Sequence, residues 1–328
     1  MRGRRRLALA AVAAGFLALA GPARADGTGL IFVSNEKDST LTVIDGRANR
    51  VVRTVETCGR PRGMQFNQDR SAFYVACADD NVIAVYDVAT LELVARMRNI
   101  EEPETFDLGP RGRRLYVSNE EDATASVVDV ATGKVIGAVE VGEEPEGVLV
   151  TADGGTVYVA SEAANLVHVI DTETLETRAD VLVGTRPRRF AMTPDGAELW
   201  VTAEMAGRVD VIDTKTDRVV ARIGFLPRGF RRTEVTPVDL KITADGRTAF
   251  VTLGRANHVA VVDVAARTVD EYILVGKRPW GLALSGDESR LYVANGLSDD
   301  LSIIDVATAR VIKSVPVGRV PYGILIDD

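Results

Sequence analysis

Short runs of alternating apolar and polar residues recur along the chain, and each run ends in an aspartate. The seven runs are LTVID at Asp45, IAVYD at Asp87, ASVVD at Asp129, VHVID at Asp171, VDVID at Asp213, VAVVD at Asp263 and LSIID at Asp305. Successive aspartates lie 42 residues apart, except for 50 between Asp213 and Asp263. Alternation predicts strands, and a repeat of this length predicts a β-propeller with one four-stranded blade per repeat.

A single repeat contains four predicted strands. Between Pro145 and Gly184 they fall at 146–150, 156–160, 166–170 and within 175–183. Asp153-Gly154 supplies the positive φ of a hairpin turn, and the carboxylate of Asp171 can accept backbone N–H groups two or three residues further on. We therefore expect the recurrent aspartates, and the aromatic-Val pairs of the second strands, to be scaffold residues.

The two ends of the repeat array complement each other. Residues 30–35 match a second strand with no first strand before them, whereas residues 321–326 match a first strand with none after it. Pairing them closes the ring and removes two free strand edges. We predict an all-β, seven-bladed propeller over residues 26–328, closed by one C-terminal and three N-terminal strands.

The beginning of the chain has the features of an export signal. Residues 1–6 carry four arginines, residues 7–20 are apolar, and Ala23-Arg24-Ala25 offers a cleavage site between small residues. This pattern predicts a signal peptide over residues 1–25, cut after Ala25, and a periplasmic or secreted protein that is not inserted in the membrane once cleaved. An uncleaved membrane anchor is the alternative.

The charge of the chain limits its partners. The net charge is −8, and removing residues 1–25, which hold five arginines and no acidic residue, makes it −13. A protein this acidic does not attract nucleic acid or anionic lipid through its overall field.

The two histidines do not indicate a metal site. His168 and His258 occupy different positions in their repeats, so no symmetric ring of metal ligands is predicted. We also expect the protein to be a monomer.

The only two cysteines belong to the second repeat. Cys58 precedes the first strand of that repeat and Cys77 ends its second strand. In an antiparallel hairpin the start of one strand lies opposite the end of the other, so the pair predicts a disulfide in an exported protein.

The repeat motifs resemble those of a known family. P-x-G before an apolar strand, a T/S-x-D-G turn, Y-V-x-N and V-x-V-I-D are similar to YVTN-family β-propeller repeats across almost all of residues 26–328. Seven repeats, a signal peptide and the regular spacing look most like the periplasmic propellers associated with PQQ-dependent catabolism. This resemblance implies a setting of quinoprotein alcohol dehydrogenases, c-type cytochromes and an ABC transporter. It implies an association with PQQ, and the sequence itself identifies no bound cofactor.

Candidate binding residues gather on one predicted face. The Gly-x-x-Pro loops and the connections between second and third strands share this face, here called the upper face, and its loops vary most. The proline that leads from each of these loops into the first strand of a blade is here called the entry proline. Residues directly after an entry proline, or one step further, should surround the channel mouth: Tyr322, Arg62, Glu104, Glu146, Arg188, Arg189, Asp239 and Trp280. The ring suits a small polar or aromatic acid, or it is a solvated mouth of paired charges.

Two further features lie on the upper face. Glu36, Glu120, Glu162 and Glu204 share one repeat position and form an acidic arc for a basic partner or a hard cation, or simply solvated loop charge. The long repeat adds eight residues around Phe225, Arg228, Phe230, Arg231 and Arg232. This segment is a lid, a contact for an anionic partner, or a tolerated insertion.

These features favour a non-enzymatic binding or accessory propeller that uses its upper face. The partner would be a quinoprotein dehydrogenase, a c-type cytochrome or an ABC transporter component, as the resemblance implies. One alternative is an enzyme, either a lactonase-type hydrolase or a quinoprotein-type oxidoreductase, in which only Glu104, Glu146 and Asp239 could act as base at the mouth. A surface-layer or adhesive repeat protein is another.

Overall fold

The computed structural model describes residues 27–328, and the predicted signal peptide lies outside the described residues. This part of the chain is strand and turn, apart from two short 3₁₀ segments, Ala78–Asp80 and Arg232–Glu234. In chain order the strands are β1 (Leu30–Asn35), β2 (Thr40–Asp45), β3 (Arg50–Glu56), β4 (Pro61–Phe66), β5 (Ala72–Cys77), β6 (Val82–Asp87), β7 (Leu93–Arg98), β8 (Pro103–Leu108), β9 (Arg114–Asn119), β10 (Thr124–Asp129), β11 (Lys134–Glu140), β12 (Pro145–Val150), β13 (Thr156–Ser161), β14 (Leu166–Asp171), β15 (Thr177–Leu182), β16 (Pro187–Met192), β17 (Glu198–Ala203), β18 (Arg208–Asp213), β19 (Arg218–Gly224), β20 (Pro237–Ile242), β21 (Thr248–Leu253), β22 (His258–Asp263), β23 (Thr268–Leu274), β24 (Pro279–Leu284), β25 (Arg290–Asn295), β26 (Asp300–Asp305), β27 (Arg310–Pro316) and β28 (Pro321–Asp327).

The described strands form seven antiparallel four-stranded sheets, as the repeat predicts. Blade 1 has the order β28-β1-β2-β3, and blades 2 to 7 each use four consecutive strands, from β4 to β27. In blades 2 to 7 the first strand of each set is the innermost, and its neighbours in space are the innermost strands of the adjacent blades. The seven-bladed fold class is confirmed.

Blade 1 closes the ring by joining distant parts of the chain. In the register of β28 and β1, Leu30 pairs with Asp327 and Phe32 with Leu325. The Asp327 carboxylate accepts hydrogen bonds from Thr28 N at 2.8 Å and Thr28 Oγ1 at 2.6 Å. Arg70 of blade 2 forms an ion pair with the same carboxylate at 3.2 Å, so the closure is tied to the neighbouring blade as well. The predicted mode of closure is confirmed.

Aromatic residues of the second strands fill the space between blades. Phe32 of β1 stacks on Phe73 of β5 with ring centroids 5.1 Å apart, and Phe73 stacks on Tyr86 at 5.4 Å. Both phenylalanines are completely buried, and burying one such side chain stabilises the fold by roughly 1.5–3 kcal/mol. The aromatic-Val motif of the repeat therefore serves packing, as expected.

The recurrent aspartates close the turn after each third strand. Asp171 Oδ1 accepts the N–H of Glu173 at 2.9 Å and of Thr174 at 2.8 Å. These backbone donors lower the pKa of Asp171, because they stabilise its charged form. The other six aspartates accept the N–H three residues further on in the same way, at Asp45, Asp87, Asp129, Asp213, Asp263 and Asp305.

Each innermost strand carries an extra residue shortly after its entry proline. In blade 2, Pro61 pairs with Cys77 but Met64 pairs with Val75, so one residue bulges from the strand. Where the second residue after the proline is glycine, the next blade comes very close. A Cβ on Gly147 would lie 2.0 Å from the carbonyl oxygen of Arg188. In other blades the second residue after the proline is larger, and two of these residues, Arg189 and Asp239, lie beside the central channel.

The disulfide replaces a contact that other blades make without a covalent bond. Cys58 stands where blades 1, 4, 5 and 7 have a glycine three residues before the entry proline. A Cβ on one of these, Gly318, would lie 2.5 Å from the side chain of Asn35, which is the equivalent of Cys77. In blade 2 the same close approach becomes the Cys58–Cys77 bond, with Cα atoms 5.6 Å apart. The predicted disulfide is confirmed.

Breaking this bond should lower stability. We expect the double variant Cys58→Ala/Cys77→Ala to lose about 3 kcal/mol in free energy of unfolding, because the bond closes a loop of roughly 20 residues in the unfolded chain. Urea denaturation with and without dithiothreitol measures the difference. Reductant should destabilise the wild type and leave the variant unchanged. Equal stability of the reduced and oxidised wild type would contradict the prediction.

Candidate functional site

The entry loops and the connections between second and third strands lie together, as the strand directions require. Glu36 N donates to Val320 O at 3.0 Å, and Glu162 N donates to Glu144 O at 2.8 Å. Each bond joins a second–third connection to the entry loop of the same blade. The upper face therefore consists of fourteen loops around the channel mouth within the described residues.

Several residues just before an entry proline adopt a left-handed conformation. Arg60, Glu102, Arg186 and Arg278 have φ values of 52°, 41°, 63° and 57°. Such a conformation costs a residue with a Cβ roughly 1–2 kcal/mol. All four side chains take part in ion pairs at the mouth.

On the side of blades 1 to 3, Arg60 and Arg62 bind the carboxylates around them. Arg62 Nε lies 2.6 Å from Glu104 Oε2 and Arg62 Nη1 lies 3.5 Å from Glu36 Oε1. Arg60 contacts the same two carboxylates at 3.1 and 3.2 Å, and it also pairs with Glu102 and, at 3.8 Å, with Glu120. Four acidic residues thus share two guanidinium groups.

On the opposite side, Arg188 is the centre of a second group. Its guanidinium lies 2.7 Å from Glu162, 3.1 Å from Glu146 and 3.2 Å from Glu204. The side chain is only 5% exposed. Arg186 Nε lies 2.6 Å from Glu162 Oε2, which adds a second cation on the solvent side.

Further residues extend this second group. Arg278 Nη2 lies 2.8 Å from Glu204 Oε1, and Arg189 Nη2 lies 2.9 Å from Glu146 Oε1. Tyr322 Oη donates to the same Glu146 oxygen at 2.7 Å. Residues of the ring and of the arc, which appeared as two separate features in the sequence, form ion pairs with each other in both groups.

Aromatic rings connect the two groups across the mouth. The Arg62 guanidinium lies 4.4 Å from the centroid of the Tyr322 ring, and Trp280 lies 5.1 Å from Tyr322. Arg188 is 5.4 Å from the centroid of the Trp280 ring. Cations over aromatic faces gain electrostatic energy, most of all when they are buried. The rings therefore help to stabilise arginines that have lost their hydration.

Burial and neighbouring charges shift the pKa values of the mouth carboxyls in opposite directions. Burial, reinforced by the charge of Glu146, raises the pKa of Glu162 to about 7 despite Arg188 and Arg186. The pKa of Glu104 also rises, through burial and the same Glu146 charge. Burial would raise the pKa of Glu146 too, but Arg188, Arg189 and Arg62 outweigh it and lower the value.

The structure differs from the expectation of solvated charge in the acidic arc. Glu162 and Glu204 are buried, with 5% and 2% of their surface exposed, and each binds arginine. The side chain of Glu36 is 11% exposed and that of Glu120 is 34% exposed. They pair internally because left-handed residues before the prolines place arginines beside them. The use of the arc in binding stays a prediction.

One group of acidic residues has the spacing of a cation site. Oxygen atoms of Glu102, Glu104 and Glu120 lie within 4.8 Å of one another. However, Arg60 contacts all three, so its guanidinium already supplies the positive charge there.

The histidines lie away from the mouth. His168 Nδ1 is 2.6 Å from Asp180 Oδ1, while its Nε2 accepts from Gly142 N at 2.9 Å and contacts Ser161 Oγ at 3.0 Å. Ser161 is completely buried, so this group fixes the entry loop of blade 4. His258 packs edge-on against Phe230, with ring centroids 5.6 Å apart.

The long loop between β19 and β20 has an apolar side and a basic side. Phe225 is 3% exposed, and Phe230 packs against the same core of blades 5 and 6. Arg228, Arg231 and Arg232 are all exposed. Packing therefore accounts for the two aromatic residues but leaves the arginines without a structural role.

Several site residues escaped the sequence reasoning. Arg60, Glu102, Arg186 and Arg278 all precede an entry proline, one position before the ring that the repeat predicts. This position is charged in five repeats, since Glu144 also occupies it, and that recurrence was a usable signal. Lys241, which lies beside the channel, has no counterpart of the same kind in the other repeats and so gave no repeated signal.

Stability should depend on pH through Glu162. Its pKa is about 7 in the folded protein against 4.5 for the free side chain, so the native state binds more protons between these values and the free energy of unfolding falls as pH rises from about 4.5 to 7. We expect Glu162→Gln to flatten this decline in urea titrations between pH 5 and pH 8.

Glu143→Gln is the matched control, because Glu143 is exposed on the same face. It should keep the wild-type slope of stability against pH. If Glu162→Gln and Glu143→Gln behave alike, the proton uptake does not occur at Glu162.

Solved structures with the same architecture have various functions. The periplasmic gluconolactonase of Pseudomonas aeruginosa is 22% identical, with 91% of this chain and 99% of that chain covered at a TM-score of 0.78. The hydrazine synthase of Kuenenia stuttgartiensis is 22% identical, covering 80% and 88% at 0.72. A dihydro-heme d1 dehydrogenase is 15% identical, covering 91% and 75% at 0.69. At these identities the similarity shows the fold alone.

A family model and the curated proteins give different results. None of the curated proteins matches the sequence significantly. The model of the choice-of-anchor I domain matches residues 116–291, which run from the second strand of blade 3 into the second strand of blade 7. Since that stretch is more than half of the chain and consists of propeller blades, the chain belongs to the choice-of-anchor I domain family.

Proposed function

We propose that this protein is a non-catalytic, monomeric propeller of the periplasm that binds a protein partner through its upper face and serves quinoprotein alcohol catabolism. The observation that carries the binding role is the uneven charge of the exposed upper loops. Six exposed acidic residues of the upper loops belong to blades 2 to 4, and a seventh, Glu234, follows the arginines of the long loop. The six are Asp79, Asp80, Glu121, Asp122, Glu143 and Glu144. Five exposed basic residues belong to blades 6 and 7: Arg228, Arg231, Arg232, Arg255 and Lys277. Arg186 and Arg319, in upper loops of blades 5 and 1, are exposed too but form ion pairs, which leaves Lys37 as the other exposed cation.

Exposed apolar side chains accompany the basic residues. Met205, Leu226 and Leu297 are 50%, 49% and 68% exposed, and all three lie in upper loops of blades 5 to 7. Arginine and methionine are enriched at interfaces, and contact with large apolar side chains adds affinity to charge recognition. This half of the upper face therefore fits an acidic protein surface with apolar residues at its centre.

The rest of the molecule would orient such a partner. With a net charge of −13 after signal cleavage, most of the surface repels an acidic protein, and the basic half of the upper face attracts it. The resemblance to propellers associated with PQQ-dependent catabolism supports a quinoprotein dehydrogenase, a c-type cytochrome or an ABC transporter component as that partner. The predicted export signal and the choice-of-anchor family support a location outside the cytoplasm. The described residues contain no helix with the length and apolar character needed to cross a membrane.

The state of the mouth carboxylates supports a non-catalytic role. Glu104 is held by Arg60 and Arg62, and Glu146 by Arg188 and Arg189. Asp239 accepts the N–H groups of its own strand and of the next blade. A general base needs an oxygen that is free to take a proton from a substrate, and these three carboxylates are already engaged.

Charge reversal of the long loop should weaken partner binding. We expect Arg228→Glu/Arg231→Glu/Arg232→Glu to weaken binding to one purified component of the quinoprotein system by at least about tenfold, because attraction becomes repulsion. Biolayer interferometry with the dehydrogenase, the cytochrome and the transporter component at low and moderate salt measures this.

A control with the same change in net charge lies on the other face. Arg111, Arg247 and Arg310 are exposed at turns or strand ends below the blades, and their replacement by Glu should leave binding unchanged. Binding of none of the three components, or equal losses in both triple variants, would refute the proposal.

A further inference from the structure

A cavity of about 200 Å³ lies in the central channel beneath the ion pairs of the mouth. Its wall includes charged side chains of blades 5 and 6 and aromatic or apolar side chains of several blades: Arg189, Asp239, Lys241, Trp280, Tyr322 and Met64. Binding sites for drug-sized molecules measure roughly 300–1,000 Å³, so this cavity suits a smaller molecule.

The cavity is closed above and open below. At the upper ends of the innermost strands, Arg62, Glu104, Glu146, Arg188 and Tyr322 are at most 5% exposed. Exposure increases towards the lower ends, and in β20 the buried residues Pro237 to Leu240 are followed by exposed Lys241. A ligand would therefore enter from the face opposite the upper loops.

The carboxylates beside the channel are already satisfied. Asp239 accepts Leu240 N at 2.8 Å and Leu282 N at 3.1 Å. Across the channel, Asp107 accepts Val150 N at 2.7 Å together with Gln65 Nε2 at 2.9 Å. Val150 N and Leu282 N lie on the inner edges of neighbouring blades, where no further strand can accept their hydrogen bonds. The two carboxylates thus serve the scaffold.

The cations keep unused donors. Arg189 uses Nη2 for Tyr322 and Glu146, while its buried Nη1 has no hydrogen-bond partner within residues 27–328. In the same range Lys241 forms no ion pair closer than 4.0 Å. A buried donor without a partner is unfavourable, so a group that accepts its hydrogen bond is stabilised there. The free hydrogen-bonding capacity of the cavity is therefore cationic.

We propose that the cavity binds a small organic carboxylate with a compact apolar body. The carboxylate lies between Arg189 and Lys241, which come from the innermost strands of adjacent blades, and the apolar body contacts Trp280 and its apolar neighbours. This site goes beyond partner binding, since it uses the opposite entrance and different residues.

Benzoate is a suitable probe, and benzamide is its neutral counterpart of similar shape. In ligand-observed NMR titrations we expect benzoate to bind saturably to the purified protein and benzamide to bind at least about tenfold more weakly, because only the acid has the charge that both cations recognise. Acetate and butyrate in the same titrations test how much of the affinity comes from the apolar body.

Lys241→Met tests the site with little risk to folding, because this side chain is exposed and forms no ion pair within 4.0 Å in residues 27–328. It should weaken benzoate binding about tenfold. Lys215→Met, at an exposed turn of blade 5, should bind like the wild type. The triple loop variant of the upper face should also bind benzoate normally, which separates this site from the partner surface.

Three results would overturn the proposal. The first is that none of acetate, butyrate and benzoate saturates the protein up to about 10 mM, where even a weak specific site would fill. The second is equal affinity for benzoate and benzamide. The third is an unchanged affinity of Lys241→Met for benzoate.

Discussion

Buried ion pairs hold the upper ends of the innermost strands together. Seven strands converge on one axis, so the residue after each entry proline must share a small volume with its counterparts from the other blades. Where these residues are charged, as Arg62, Glu104, Glu146 and Arg188 are, each needs opposite charge within reach, because an unpaired buried ion destabilises the fold by several kcal/mol. Arg60, Arg186 and Arg278, the left-handed residues before the prolines, supply further positive charge to carboxylates of the mouth. The aromatic rings contact the buried arginines.

Pairing at the mouth also decides where binding can take place. Side chains that neutralise one another are unavailable to a ligand, so the free charges lie elsewhere. They include the exposed arginines of the long loop on the upper face and, in the lower channel, Lys241 with the unused Nη1 of Arg189. One surface suits a macromolecule and the other a small molecule, and the ion pairs separate the two.

The sequence could predict much of the fold because the repeat is regular. The positions of Asp45 to Asp305 determine the strand order, the unmatched strands at residues 30–35 and 321–326 imply ring closure, and Cys58 and Cys77 occupy facing positions of one hairpin. The pairing of the arc with the ring could not be predicted in this way. It depends on the unusual backbone of residues such as Arg186, and on distances between blades that a repeat period does not contain.

Ring closure has a consequence for the order of folding. The chain is synthesised from its N-terminus, so β1 is made early, whereas its inner partner β28 follows almost three hundred residues later. Until then the inner edge of blade 1 exposes unpaired N–H and C=O groups that could pair with another chain. Contacts between residues so far apart in sequence also form slowly. A partly synthesised chain is therefore open to strand exchange, and cooperative folding has to wait for the final strand.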